Sequence, residues 1–332
     1  MQTRLTDRLH ITHPVIQAPM SGGDGPELAA AVSEAGGLGM LALWRHAPDA
    51  VRAAIRHVRE RTDRPFGVNL NLAWPQEERL EICLEAGVPI VSFFWGTSRA
   101  LVTRARAGGA TVLESVGSAD EARAAVDRGA DVVVAQGWEA GGHVWGTVAT
   151  MALVPAVVDV VGDVPVVAAG GMADGRGLAA ALALGAGGVW LGTRFLATPE
   201  AAIHPRYRER LLSADASDAR WFENLFDIGW PHAPHRALGN DTVAAWEAAG
   251  RPPSGARPGE GDVLAVAASG APVRRYQSHT PGPQTAGDID NLSLWAGQGV
   301  GLVTDVRPAR EVVLALVEEA ESVLRGLTAP RP

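Results

Sequence analysis

Short apolar runs alternate along the chain with longer segments whose apolar residues recur at helical spacing. Eight of the runs are predicted to be strands, because each is apolar or alternating and is bounded by turn-forming residues. They lie at residues 15–20, 38–43, 66–72, 89–95, 111–116, 132–134, 165–169 and 188–195. Seven predicted helices separate them, at residues 27–35, 48–61, 76–86, 98–107, 119–128, 154–161 and 175–184. Eight strand–helix repeats predict an α/β fold in which a parallel sheet closes into a (β/α)₈ TIM barrel. A doubly wound sheet is the alternative, but no chain is left for a second nucleotide-binding half.

The periodicity breaks down after the eighth strand. Four apolar residues, Trp221, Phe222, Leu225 and Phe226, have the spacing of a helical face, and residues 251–261 have the Pro- and Gly-rich composition of a linker. We therefore predict a helical insertion at 198–290 that forms a lid over the barrel mouth and contains a flexible excursion. The barrel domain would comprise residues 1–197 and 291–332, with a closing amphipathic helix over 310–324.

Composition narrows the possible partners. The formal net charge is −8 and the basic residues form no stripe, which argues against nucleic acid as a partner. The N-terminus has no apolar signal core and no apolar run reaches membrane length, so we expect a cytoplasmic protein with no membrane partner. The single cysteine, Cys83, lies in a helical pattern and is expected to be a core thiol.

The ends of the seventh and eighth strands have the character of a phosphate cradle. Gly170 and Gly171 follow one strand, and Gly192 and Thr193 follow the other. In a TIM barrel these two ends are adjacent, and glycine backbones next to helix N-termini bind phosphate. The chain has no Walker lysine motif and no GxGxxG after a strand, which makes a nucleoside triphosphate unlikely as the ligand.

Other strand ends complete a site of cofactor size. Ala18 and Met20 offer a backbone and a thioether to a flat ring, and Asn69 and Gln136 carry amides that can pair with a heterocycle. This set suits flavin mononucleotide, FMN, better than a free sugar phosphate. Glu114 could pair with the same ligand, and a structural role is an equal alternative.

The segment 132–146, VVVAQGWEAGGHVWG, is the strongest candidate for chemistry. It is a buried strand that ends at an amide, followed by two glycines that let backbone approach a ligand and then by His143. Gly141 is therefore a candidate for cofactor contact. His232 and His235 resemble a metal pair, but without a third ligand nearby they are interpreted as lid or packing residues, and no metal site is predicted.

Seven motifs occur in an order that resembles the nitronate monooxygenase family, formerly called nitropropane dioxygenases. They are IQAPM (16–20), GVNL (67–70), VSFFWG (91–96), QGWEAGGH (136–143), VVAAGGMADG (166–175), GVWLGTRF (188–195) and WAGQGVG (295–301). The resemblance implies an FMN-dependent barrel with Met20 and Asn69 beside the flavin ring, Gln136 at its polar edge, and Gln298 and Gly299 near it. It places the phosphate at the two glycine-rich strand ends and makes His143 the catalytic residue. The segment 144–146 departs from many relatives, which carry a basic residue there.

The resemblance implies an oxidoreductase that uses O₂ to convert alkyl nitronates, or the nitroalkanes themselves, to carbonyl compounds and nitrite. His143 would hold the anion when protonated or take the α-proton of a nitroalkane when neutral. The partners would be the small nitro or nitronate substrate and O₂, with the protein a monomer or homodimer. Three alternatives stay open: an NAD(P)H-dependent flavin enoyl-acyl-carrier-protein reductase, a flavin-binding barrel without turnover, and a phosphate-binding lyase without flavin.

Overall fold

The computed structural model describes residues 1–328. Its strands are β1 (Val15–Gln17), β2 (Gly39–Ala42), β3 (Phe66–Asn71), β4 (Ile90–Phe94), β5 (Thr111–Val116), β6 (Val132–Gln136), β7 (Gly142–His143), β8 (Val166–Ala169), β9 (Gly188–Leu191), β10 (Ala219–Phe222), β11 (His235–Leu238), β12 (Val263–Val266), β13 (Pro272–Arg274) and β14 (Ala286–Gly287). Its α-helices are α1 (Arg4–Leu9), α2 (Pro26–Glu34), α3 (Pro48–Arg59), α4 (Glu77–Glu85), α5 (Arg99–Ala107), α6 (Ala119–Arg128), α7 (Thr150–Val161), α8 (Gly175–Ala183), α9 (Thr193–Leu196), α10 (Pro205–Ser213), α11 (Asp241–Ala248) and α12 (Ala309–Thr328). A 3₁₀ helix spans Gln298–Leu302.

The central sheet is a closed parallel barrel. Within the described residues it has eight strands in the order β1-β9-β8-β6-β5-β4-β3-β2. The ends of this order meet, because Ile16 bridges Leu38 in parallel and the Gln17 N–H donates to the Leu38 carbonyl at 2.9 Å. The predicted TIM barrel is confirmed, and each predicted barrel strand overlaps an observed one.

One end of the barrel is sealed by the first helix. Leu5 and Leu9 of α1 are buried in the apolar cluster that fills the barrel, together with Met40, Leu113 and Val134 from the strands. The Thr3 hydroxyl also donates to the Gly187 carbonyl, immediately before β9 begins, at 2.7 Å. Since α1 covers the N-terminal ends of the strands, only their C-terminal ends are left open for a ligand.

The segment after β9 and α9 is a mixed α/β structure rather than a helical one. Two helices, α10 and α11, are present, but β10 and β11 form a hairpin-like antiparallel pair and β12–β14 form a second small sheet. The helical prediction for Trp221 to Phe226 is wrong, because Trp221 and Phe222 belong to β10. Pairing with β11 outweighs the local helical spacing there. The division into a barrel and an insertion at 198–290 stays a prediction, and residues 329–332 of the predicted barrel domain lie outside the described residues.

The predicted flexible excursion at 251–261 is anchored by a buried arginine. The Arg257 side chain is fully buried, and its Nη1 donates to Asp227 Oδ1 and to the Leu225 carbonyl, each at 2.7 Å. It also pairs with Glu260 and stacks on Tyr276 with 4.5 Å between Cζ and the ring centroid. The prediction of a plain linker is therefore wrong, since Pro and Gly content does not reveal a side chain that neutralises two carboxylates.

The chain returns to the barrel through the 3₁₀ helix and ends in α12. This helix contains the predicted amphipathic segment 310–324 and packs against α8. Among residues 1–328, no helix combines the length and the apolar character that crossing a membrane requires.

Candidate functional site

A cavity of about 330 Å³ opens at the C-terminal ends of the barrel strands. This volume lies within the range of small-molecule and cofactor sites. Nearly all of the residues predicted for the site line it: Ala18, Met20, Asn69, Gln136, Gly141, His143, Gly170, Gly171, Gly192, Thr193 and Gly299. Gln298 is the exception, because it lies outside the lining and its N–H donates to the Glu139 carbonyl at 2.9 Å. Its neighbours Gly297 and Gly299 line the cavity instead.

Glycines at one end of the cavity allow close backbone approach. Gly170 has φ +105° and a Cβ there would lie 3.0 Å from both the Ala140 nitrogen and the Gly137 oxygen. A Cβ on Gly141 would lie 2.3 Å from the Gly297 nitrogen. The Gly297 N–H in turn donates to the Thr193 hydroxyl at 3.0 Å. This end is therefore built from backbone with room for no side chain, which is the arrangement that phosphate cradles use.

The loop after β1 is held in place by a carboxylate. Oδ2 of Asp24 accepts from the N–H groups of Met20 and Ala42, each at 2.8 Å, so it joins the ends of β1 and β2. Burial raises the pKa of Asp24 to about 7 despite these hydrogen bonds. Nearby, the Asn69 amide donates to the Ser92 hydroxyl at 2.8 Å. These hydrogen bonds hold the cavity-lining residues Met20 and Asn69 in position.

The Gln136 amide holds the loop that carries His143. Its Nε2 donates to the His143 carbonyl at 3.1 Å, and its Oε1 accepts from the Trp145 N–H at 2.9 Å. On the other side, His143 pairs with His235 in the β7–β11 ladder, and the Val144 N–H donates to the Pro234 carbonyl at 2.8 Å. The histidine is thus held by its backbone between a barrel strand and the segment after β9.

The His143 imidazole lines the cavity and is electrically neutral at pH 7. Its pKa is held well below the usual 6.5, first by burial and then by repulsion from His235 and Arg45. Its Nε2 is buried and has no hydrogen-bond partner within residues 1–328. Trp230 stacks on the ring with 3.8 Å between centroids and an interplanar angle of 29°. An unpartnered basic nitrogen on a residue that lines a cavity can accept a proton from a ligand that reaches it, or donate a hydrogen bond to that ligand.

Two other polar residues considered from the sequence, His235 and Glu114, have structural roles. His235 accepts from the Phe226 N–H at Nε2 and contacts the Ala233 carbonyl through Nδ1 at 2.9 Å, so both ring nitrogens are used. Burial lowers its pKa to about 4. No group of three potential metal ligands occurs in the described part of the chain. Glu114 pairs with Arg128 at 2.6 Å and is absent from the cavity lining, which supports its structural alternative.

Sequence reasoning missed the aromatic end of the cavity. Trp44, Arg45 and Trp230 line it. His279 also lines the cavity, and its buried Nε2 has no partner in the described part of the chain. Trp44 lies 5.4 Å from Trp230 between ring centroids although the two are far apart in sequence. The available signal was the unusual number of tryptophans, 10 in 332 residues, which indicates aromatic packing without locating it.

Comparison with known proteins identifies the family of the chain. The family model described as nitronate monooxygenase matches residues 2–78 and 71–319. The nitronate monooxygenase of Pseudomonas aeruginosa is 36% identical over 98% of this chain and 100% of its own length. The chain belongs to the nitronate monooxygenase family. It is therefore an oxidoreductase of a flavin-dependent family.

Two further relatives have other names. A protein of Rhodococcus jostii named (3aS,4S,5R,7aS)-5-hydroxy-7a-methyl-1-oxo-octahydro-1H-indene-4-carboxyl-CoA dehydrogenase is 39% identical over 75% of this chain and 69% of its own length. Among solved structures, FabK from Thermotoga maritima superposes with a TM-score of 0.80 and 33% identity, covering 98% of each chain. The fold is thus shared by relatives whose names differ, and the substrate has to be argued from the site.

Proposed function

We propose that this protein binds FMN and uses O₂ to oxidise alkyl nitronates, or the parent nitroalkanes, to carbonyl compounds and nitrite. The observation that carries the proposal is the neutral imidazole of the cavity-lining His143, whose buried Nε2 has no hydrogen-bond partner among the described residues. A buried nitrogen without a protein partner is a position at which a ligand or a reacting group can complete the hydrogen bonding. The family match adds support for the nitronate as that group.

The cavity fits a flavin mononucleotide at two points. The glycine turn at Gly170 and Gly171, with Gly192 and Thr193 beside it, lines the cavity with backbone and would hold the phosphate. Met20 and Asn69 line the part of the cavity that would hold the ring. When bound, the flavin supplies the electron transfer between substrate and O₂.

His143 would control the proton in this reaction. Because its pKa is lowered, it is neutral at pH 7 and can take the α-proton of a nitroalkane at Nε2. Of the two roles considered from the sequence, this geometry favours the base over the protonated anion holder. Trp230, only 6% exposed, covers one face of the imidazole and keeps water from it. The resulting enclosed site favours proton transfer to the ligand rather than to solvent.

A second candidate function is oxidation or reduction of an acyl thioester with a nicotinamide cofactor. The match to the Rhodococcus dehydrogenase, whose name specifies a CoA thioester, and the full-length match to FabK favour it. The same neutral imidazole could serve as the proton donor or acceptor in that reaction. A direct assay distinguishes the two functions.

The deciding experiment compares electron donors on the purified protein. Flavin released by denaturation is identified by mass, and O₂ consumption with propane-2-nitronate is compared with NADH and NADPH oxidation in its absence. We expect FMN, nitronate-dependent O₂ uptake and nitrite release. Rapid NAD(P)H oxidation without nitronate-dependent O₂ uptake would contradict the proposal and favour the thioester function. Flavin without either activity would indicate a binding protein.

A further inference from the structure

The cavity contains a single formal charge. Among the described residues that line it, Arg45 alone is ionised at pH 7, because no aspartate, glutamate or lysine is present. Burial lowers the pKa values of the two lining histidines, His143 and His279, so both are neutral. A cavity with one positive charge and no negative one attracts anions.

Arg45 is not committed to an acidic partner. It takes part in no ion pair among the described residues. Its Nη2 donates a hydrogen bond to the Gly229 carbonyl at 2.6 Å. Its Cζ lies 4.7 Å from the ring centroids of both Trp44 and Trp74, which are stacked 4.6 Å apart. The indoles hold the guanidinium at the exposed mouth of the cavity while most of its five N–H donors stay available.

The guanidinium is linked to the proposed reacting centre through Gly229 and Trp230. Gly229, which accepts from Arg45, precedes Trp230, and Trp230 stacks on His143. Arg45 is thus separated from the His143 imidazole by one aromatic residue, and both line the same cavity. The Arg45 charge is near enough to His143 to contribute to its lowered pKa.

We propose that Arg45 is the anion-binding, specificity-determining residue of the substrate half of the cavity. Its ligand class is a planar anion with two oxygens on one atom, which matches the parallel N–H donors of a guanidinium. On the proposed function, on which this assignment of the anion rests, that group is the nitronate. Arg45 therefore selects the nitronate over the neutral nitroalkane with the same carbon skeleton.

The kinetic test compares Arg45→Met, Arg45→Lys and the control Arg99→Met. Arg99 is also an exposed arginine whose guanidinium donates to one backbone carbonyl, that of Asp127, but it lies outside the cavity. We expect Arg45→Met to raise KM for propane-2-nitronate about tenfold or more and to leave KM for 2-nitropropane nearly unchanged. Arg45→Lys should give an intermediate KM, and Arg99→Met should match the wild type. A KM change of equal size for both substrates would overturn the inference.

A binding test separates this inference from the proposed function. Benzoate is an unreactive planar two-oxygen anion, and its binding is followed by tryptophan fluorescence, since Trp44 and Trp74 lie against Arg45. We expect its Kd to rise about tenfold or more in Arg45→Met, and added salt to raise the wild-type Kd more than that of the variant. Equal affinity in both proteins, or no saturable binding to the wild type, would overturn the inference even if nitronate is oxidised. If nitronate is not oxidised but benzoate binding depends on Arg45, only the proposed function fails.

Discussion

Replacing His143 with asparagine removes the proposed base while leaving the loop that carries it intact. The hydrogen bond from Gln136 and the β7–β11 pairing all involve backbone atoms at or next to residue 143. Asparagine keeps a polar side chain but cannot take a proton. We therefore expect the variant to fold and to retain flavin.

The expected loss of activity is larger than any effect on packing. General base catalysis contributes about 10²- to 10⁴-fold, which corresponds to roughly 3–5 kcal/mol of activation free energy. Loss of the stacking contact with Trp230 would cost only about 1 kcal/mol of stability. A fall in kcat/KM of at least about 100-fold with 2-nitropropane, at nearly unchanged melting temperature, is therefore the expected result.

The assay separates proton transfer from the rest of the reaction by using two forms of the same substrate. Propane-2-nitronate has already lost its α-proton, so its oxidation should be reduced much less than that of 2-nitropropane. The wild-type kcat/KM for 2-nitropropane should rise with pH through a pKa below 6.5 and level off above it, since only neutral His143 accepts a proton. This step should be absent in His143→Asn.

A matched control is His10→Asn. His10 is exposed at the C-terminus of α1 with φ 55°, a conformation that asparagine adopts readily. The control should behave as the wild type. Unchanged turnover of 2-nitropropane by His143→Asn, or equal losses with both substrate forms, would refute the assignment of His143 as the base.

Three further substitutions test other parts of the account. Gly170→Ala should lower FMN affinity about tenfold or more, measured by equilibrium dialysis. The control Gly250→Ala, which is also at positive φ but has open space around its Cβ, should leave the affinity unchanged. Equal FMN affinities for the two variants would contradict the phosphate cradle. Arg257→Met should reduce the free energy of unfolding by about 3–5 kcal/mol, because it leaves the buried Asp227 carboxylate unpaired. The exposed Arg251→Met should cost less than about 1 kcal/mol. Similar denaturation midpoints for these two variants would contradict the buried network. Gln136→Leu should lower kcat more than FMN affinity, since its amide holds the catalytic loop, and the reverse order would show that its main partner is the flavin.

Local signals in the sequence were sufficient for the barrel and for one half of the site. A glycine turn directly after a buried strand indicates a ligand-binding strand end, and this signal does not depend on distant residues. Gly170, Gly171 and Gly192 could therefore be placed at the cavity from their positions after the strands. The same holds for His143, which follows β6 at a short distance. Gln298 could not be placed in this way, because the local sequence does not indicate which of the residues 297–299 face the cavity. In the structure Gly297 and Gly299 line the cavity and Gln298 does not.

The aromatic half could not be predicted, because it depends on contacts between distant parts of the chain. Arg45 and Trp44 follow β2, whereas Trp230 belongs to the loop between β10 and β11. That loop reaches the site only because β11 pairs with the two-residue strand at Gly142–His143. Strand pairing of this kind leaves no local pattern, and the spacing of Trp221 and Phe222 indicated a helix instead.

The most direct test of the account is a crystal structure of the flavin-loaded protein. The account predicts the FMN phosphate within hydrogen-bond distance of the backbone at Gly170, Gly171 and Gly192, and the flavin ring beside Met20 with the His143 imidazole facing the substrate space above it. Flavin bound elsewhere, or bound with its ring at the glycine turns and its phosphate at the aromatic end, would contradict the account.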